Sequence, residues 1–156
     1  MTGRVRQEIK QRKPFQRIED EAFVNLLRTG DALMQGVAAT LKPTGLSPTQ
    51  YNILRILRGA EPDGLACREI GERMITRDPD ITRLLDRLEE RLLVTRARGT
   101  EDRRVILTRI TGEGLRILAP LDDPIEALHV KQLGHLGPER LHALITLLEA
   151  VRGGLH

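Results

Sequence analysis

The sequence predicts a mainly α-helical fold with a small β-hairpin wing, in which a winged helix-turn-helix core lies between two helical flanks. Three observations predict it. Apolar residues recur at three- and four-residue intervals over most of the chain. Two short helical segments lead through the turn "TRD" into a well-capped helix, the pattern of a helix-turn-helix. Two β-branched stretches, "LVTRAR" and "RVILTRI", then follow, joined by the turn residues "GTED", and read as a hairpin.

The first long helix is expected from Phe15 to Leu41, entered at Pro14, with Ile18, Ala22, Leu26, Leu33, Val37 and Leu41 as one stripe. Gly30 and Gly36 weaken it without ending it. Ser47 caps a second helix that has Pro48 at its first position, Tyr51, Leu54 and Leu57 on its buried side and Gly59 near its end. "EPDG" is a turn, Leu65 a short extended piece, and "CREIGERM" a brief helix with Ile70 and Met74 facing inward. In "DPDITRLLDRLEERL", Asp78 is expected at the N-cap, Pro79 at the first helical position and Asp80 in the first turn, where its charge suits the helix dipole. Ile81, Leu84, Leu85, Leu88 and Leu92 form the core stripe, which leaves Thr82, Arg83, Asp86 and Arg87 on the flanks and outer face. Towards the C-terminus, Pro120 and Pro124 mark a bend or break, and Leu141, Leu144, Ile145 and Leu148 make a stripe that the winged helix alone cannot bury.

Composition narrows the function. A chain of 156 residues, 40% apolar and 30% charged, suits one soluble core. No apolar run reaches the ~18 to 20 residues that span a bilayer, and the bases of "MTGRVRQEIKQRK" have no apolar stretch behind them. A cytoplasmic protein with no membrane partner is expected. Cys67 is the only cysteine, so no intrachain disulfide and no cysteine-based zinc site can form. Its place at the head of a helix suits a reactive thiol, and the competing reading is a buried or inert small side chain. Enzymatic chemistry has few nucleophiles to draw on, because the single serine, Ser47, precedes a proline as a helix cap does. His129, His135 and His142, the last two separated by a Gly-Pro break, read as surface or interface histidines, so no metal site is expected.

The charge pattern points elsewhere. The net charge is only +3, yet 21 of the 25 bases are arginine, whose planar fork suits phosphate and base edges. Residues 1–20 carry six bases against three acids, residues 65–109 eleven against nine, and residues 110–156 four against six. The surplus at the front and middle is compatible with a nucleic-acid surface. In the hairpin, Arg103 and Arg104 lie where the turn hands over to the second strand, and Asp102 can brace a guanidinium there by a bidentate pair. An arginine so held suits a narrow, electronegative minor groove, whereas the alternative is a solvated loop.

In order and spacing, "GLSPTQYNILRIL", "REIGERM", "DITRLLDRLEERLLVTRARGTEDRR" and "ITGEGLRIL" resemble the multiple-antibiotic-resistance-regulator (MarR) family of winged-helix transcription factors, over residues 45–118. The resemblance implies a homodimer that binds a pseudo-palindromic double-stranded DNA operator, as a repressor, without a cofactor. It divides the chain into a basic tail and first dimerisation helix (1–42), a winged helix-turn-helix DNA-binding lobe (43–110) and C-terminal dimerisation helices (111–156) that pack with 14–42. Carried onto this sequence, it implies Arg77, Asp80, Thr82, Arg83 and Arg87 in or beside the major groove, Arg104 at the wing tip braced by Asp102, and Arg103 on the backbone. It also implies a small-molecule effector. With only Phe15, Phe23 and Tyr51 as aromatic residues, the expected cleft is aliphatic and bordered by Met34, Tyr51 and Leu118. Two departures stand out: "TRDPD" brings acids close to DNA, and Leu92 replaces the family's frequent glycine before the first wing strand. A winged-helix module that binds protein and not DNA is the rival reading.

Overall fold

The first long helix begins later than its apolar stripe suggests. In the computed structural model, which describes residues 3–156, a short helix α1 (Val5–Glu8) precedes α2 (Ile18–Leu41). The first two residues of the expected 1–42 segment lie outside the described residues. Arg17 is extended (φ −128°, ψ 144°), so the first turn of α2 holds Glu19, Asp20 and Glu21. Those acids suit the positive end of the helix, whereas a start at Pro14 would have set Arg17 there. α1 buries Val5, and its Glu8 receives Arg28 Nε at 3.2 Å.

α3 (Pro48–Arg58) opens with a reciprocal cap: Gln50 N donates to Ser47 Oγ at 3.1 Å, and Ser47 N donates to Gln50 Oε1 at 3.0 Å. Its inner face, Tyr51, Ile53, Leu54 and Leu57, forms the centre of the core. β1 (Leu65–Ala66), β2 (Val94–Arg98) and β3 (Ile106–Ile110) form an antiparallel sheet in the order β1-β3-β2. Leu65 faces Thr108, while β2 runs in register from Val94 opposite Ile110 to Arg98 opposite Ile106. The wing is therefore tied at its base to β1 and not a free hairpin. α4 (Cys67–Arg73) buries Ile70 completely.

α5 (Ile81–Glu90) corrects two expectations. The N-cap is Asp80, whose Oδ1 accepts Arg83 N at 3.2 Å, and Asp78 instead accepts Asp80 N at 2.8 Å in the turn before it. Pro79 therefore precedes the helix. Leu85 and Leu88 are buried and Ile81 and Leu84 pack beside them, but Leu92 is 72% exposed and leaves the expected core stripe. The chain reverses there. Leu92 takes a left-handed φ of 61°, Leu92 N donates to Glu89 O at 2.9 Å, and Leu93 N donates to Leu88 O at 3.0 Å. This double closure ends the helix and turns Leu93, 3% exposed, into the core in place of Leu92.

After the sheet, Thr111 caps α6 (Gly112–Leu118) by accepting Gly114 N, and its hydroxyl donates to Leu92 O at 2.7 Å. Pro120 stands in the 3-10 turn Ala119–Leu121, and Pro124 in the first turn of α7 (Asp122–Leu133); α8 (Gly137–Gly153) closes the chain. One core joins the parts. Leu41 from α2 and Leu118, Leu121 and Ile125 from the C-terminal segment pack with the residues of α3, α4, α5 and the sheet. Across the same joint, Arg58 and Asp122 form a two-bond fork at 2.8 and 2.9 Å. α8 contains no buried residue and α2 buries only Leu41, so the apolar rows at both ends of the chain stay largely open. Among the described residues no helix is long and apolar enough to cross a membrane.

Candidate nucleic-acid interface

The outer face of α5 presents Thr82, Arg83 and Arg87, all exposed. An ion pair of Arg83 or Arg87 with Asp86 or Glu90 on the same helix would occupy these guanidiniums, but it does not form. Asp86 and Glu89 are instead taken by Arg96 of β2, whose Nη2 donates to Asp86 Oδ1 at 2.5 Å and to Glu89 Oε1 at 3.0 Å, while its Nε reaches Glu89 Oε2 at 3.3 Å. The hydrogen bonds from Arg96 hold the Glu89 carboxyl below its usual range, and the two acids push the Arg96 guanidinium above its own. Asp86 and Glu89 are thereby neutralised from the wing side.

The turn before α5 is set by acids and one amide. Asp78 and Asp80 order the backbone into the helix, and Ile75 N donates to Asn52 Oδ1 on α3 at 2.8 Å. Arg77, between these anchors, is exposed. Asp80 thus has a capping role that the sequence assigned to Asp78.

On the wing, β2 and β3 are joined by residues 99–105, a longer connection than "GTED" suggests, and both wing arginines lie in its turn and not on the second strand. Gly99 N donates to Val105 O at 2.8 Å and Val105 N to Asp102 O at 3.2 Å, so residues 102–105 close a β-turn. Within it, Asp102 Oδ1 accepts Arg104 N at 3.0 Å and Arg104 Nε at 3.2 Å, and Oδ2 accepts Arg104 Nη2 at 3.4 Å. The side chain of Arg104 is nevertheless 91% exposed. Its hydrogen bonds keep the Asp102 carboxyl below the ordinary carboxylate range. The Arg103 carbonyl accepts Arg98 Nη1 at 2.9 Å, which stiffens the turn and leaves the Arg103 side chain exposed.

The sequence profile of the MarR family matches residues 46–106, from the end of the first connection to the start of β3. A MarR transcription factor from Planctomyces limnophilus is 42% identical in sequence, and the alignment covers 87% of this chain and 98% of that one with a TM-score of 0.66. This chain belongs to the MarR family. It is a DNA-binding regulator of transcription and not an enzyme.

The MarR fold extends beyond the lobe. The uncharacterized HTH-type transcriptional regulator YkoM of Bacillus subtilis (strain 168) is 27% identical over 150 residues, 93% of this chain and 94% of that protein. CouR from Rhodococcus jostii RHA1, solved bound to p-coumaroyl-CoA, is 28% identical with a TM-score of 0.74, covering 88% of this chain and 96% of that one.

This MarR-family chain also holds a mainly apolar cavity of about 150 Å³ between α2, α3, α7 and the turn before α5. Met34 and Tyr51 line it, as do Val37, Asn52, Ile75, Ile125 and His129. Leu118, expected at its border, is fully buried in the core and is not among the lining residues, because α6 turns that side chain towards α3 and the sheet. The Tyr51 hydroxyl is buried and has no hydrogen-bond partner among the described residues. Cys67 is exposed at the first position of α4, so of the buried or inert alternative only burial is excluded.

Sequence reasoning missed Arg96 and Asn52. A signal for Arg96 existed: it is two residues from the buried Val94, so the strand period turns it to the same face, under α5, where a cation needs acids. Asn52 left no such signal, since its partner lies 23 residues away across a turn.

Proposed function

We propose that two copies of this chain bind a pseudo-palindromic operator and repress transcription from the DNA they cover. Each copy inserts α5 into a major groove, where Arg83 and Arg87, with Thr82, Arg77 and Asp80 beside them, read or flank the bases, and each extends its wing so that Arg104 enters the adjacent minor groove. Arg103 contacts the backbone. The observation that carries this reading is the disposition of charge: Arg96 neutralises Asp86 and Glu89, while the guanidiniums of Arg83 and Arg87 have no ion-pair or hydrogen-bond partner among the described residues. Exposed guanidiniums without an acid partner, on the outer face of a helix meant for a groove, are available to phosphate and base acceptors.

In this reading residues 43–110 bind DNA, and residues 1–42 and 111–156 join the two copies, acting in the cytoplasm. Apolar side chains left open beside those rows support it: Phe23 and Leu27 of α2 are 62% and 60% exposed and Leu147 of α8 is 65% exposed, which is costly for a monomer and natural for a two-fold interface. The cavity holds the effector against Met34 and Tyr51, a use supported by the similarity to CouR with its bound p-coumaroyl-CoA.

Selection of random-sequence duplexes on the purified protein tests the proposal. The expected product is a motif with two inverted half-sites whose binding weakens steeply with salt. Absence of any enriched sequence would overturn the DNA reading and favour a winged-helix module that binds protein.

A further inference from the structure

The segment that launches the recognition helix is held to the rest of the lobe at one point. Between α4 and α5, Met74 N donates to Gly71 O and Asp80 N to Asp78 Oδ1, contacts that shape the turn from within. Packing adds little grip further along, because Ile75 is 83% exposed and Thr76 and Arg77 are exposed as well. Among the described residues, the one hydrogen bond from residues 75–79 to another element is Ile75 N to Asn52 Oδ1, at 2.8 Å. Asn52 projects from the middle of α3, whose neighbours Tyr51, Ile53 and Leu54 are immobilised in the core. A helix held in the core thus fixes an exposed turn through a single carboxamide oxygen.

We propose that Asn52 is a positioning residue for DNA recognition: from the wall of the cavity, its side-chain oxygen sets the turn that carries Arg77 and aims α5. The geometry is specific. A peptide N–H in a turn has no helix or sheet partner, so its loss of the Asn52 oxygen leaves it to water and frees the dihedrals of residues 75–79. α5 is anchored at its far end by the reversal at Leu92 and Leu93 and by Arg96, so slack at the near end becomes a change in helix attitude and not a loss of fold. Asn52 and Ile75 both line the cavity, which makes this hydrogen bond the boundary between that space and the DNA-reading surface.

The inference rests on the reading that α5 meets DNA, and the test separates the two. Amide hydrogen exchange of Ile75 is measured on DNA-free protein for the parent, Asn52→Ala, Asn52→Leu and Asn52→Asp, beside thermal midpoints and affinity for the selected duplex. Asn52→Ala and Asn52→Leu, which lack the acceptor, are expected to speed Ile75 exchange by about tenfold while core amides stay protected, and to weaken duplex binding by about five- to tenfold. Asn52→Asp keeps an oxygen in the same place and is expected to return Ile75 exchange to within about twofold of the parent. Should the leucine variant fail to fold, the alanine variant, which adds no bulk, decides. Unchanged Ile75 exchange in Asn52→Ala would overturn the proposal, as would faster exchange with unchanged affinity. Equal losses of affinity and thermal midpoint in all three variants would reduce Asn52 to a packing role. If the parent selects no duplex, the DNA reading fails by itself, and the exchange comparison still decides whether Asn52 holds the turn.

Discussion

Asp102 and Arg104 are joined by three donors, the Arg104 backbone N–H and Nε on one carboxylate oxygen and Nη2 on the other. The pair is solvent-exposed and two residues apart, so its contribution to folding is small, and its consequence is to order a guanidinium that would otherwise be free to rotate. Arg104→Ala is expected to weaken operator binding roughly tenfold or more for each engaged wing. Arg104→Lys should recover only part of that, because an ammonium keeps the charge and lacks the fork. Asp102→Ala gives the discriminating sign: removing an acid near DNA tightens binding on simple charge grounds, whereas loss of a brace weakens it, by roughly two- to fivefold. Anisotropy titrations of the two single variants and the double variant measure this, and tighter binding by Asp102→Ala would refute the brace.

Arg96 should matter to DNA binding without touching DNA. Arg96→Gln releases Asp86 and Glu89, and Asp86 can then pair with Arg83 one turn back on α5. Operator affinity is expected to fall several-fold, with a stability loss of about 1 kcal/mol or less. Adding Asp86→Asn should restore part of the affinity. No recovery in the double variant would mean that Arg96 acts on its own account.

Leu92 occupies a left-handed position that favours glycine, with its side chain mostly in water. Leu92→Gly removes the steric penalty and little packing, so it is expected to stabilise the fold by about 1 kcal/mol in urea unfolding. Leu92→Ala retains a Cβ and should not. Equal effects of both would show that exposure of the leucine, and not its backbone angle, sets the result.

The Arg58–Asp122 fork gives a pH dependence with a defined sign. The hydrogen bond from Arg58 holds the Asp122 carboxyl below its usual range. A carboxyl depressed on folding adds stability that is fully present above its unfolded value of about 3.9 and is lost as pH falls through the lower folded value. Arg58 is shifted upward by the same contact and adds nothing to the acid limb. Asp122→Asn should therefore lower the thermal midpoint at pH near 6 and lose less on acidification towards about pH 2.5. Parallel curves for parent and variant would show the fork to be without effect on stability.

Assembly is tested on the exposed apolar residues of α2 and α8. Light scattering on the parent at micromolar concentration is expected to give twice the 17.6 kDa of one chain. Leu27→Glu with Leu147→Glu should yield a folded monomer with much weaker operator binding, since two linked half-sites become independent. A monomeric parent would remove the palindromic operator as well.

Local rules carried much of this protein. The Ser47-Pro48 start, the helix period of α3 and α5, the β-branched wing strands and the clustering of Asp102, Arg103 and Arg104 are properties of neighbours in sequence, where capping, periodicity and turn chemistry act over a few residues. Other features depend on partners distant in sequence. Asp78 was expected as the cap and Asp80 takes that place, because both acids can accept a backbone N–H and the sequence offers no local signal between them. The exposure of Leu92 followed from the helix reversal that buries Leu93. Arg96 with Asp86 and Glu89, Asn52 with Ile75, and Arg58 with Asp122 are separated by 7 to 64 residues, and no periodicity within a segment fixes which charge or amide meets which. Segments such as α3, α5 and the wing strands are legible in the sequence because hydrogen bonding and burial along a segment are local. Which arginines remain without an acid partner is a tertiary property, because a guanidinium is spent or spared by the acids that other elements bring to it.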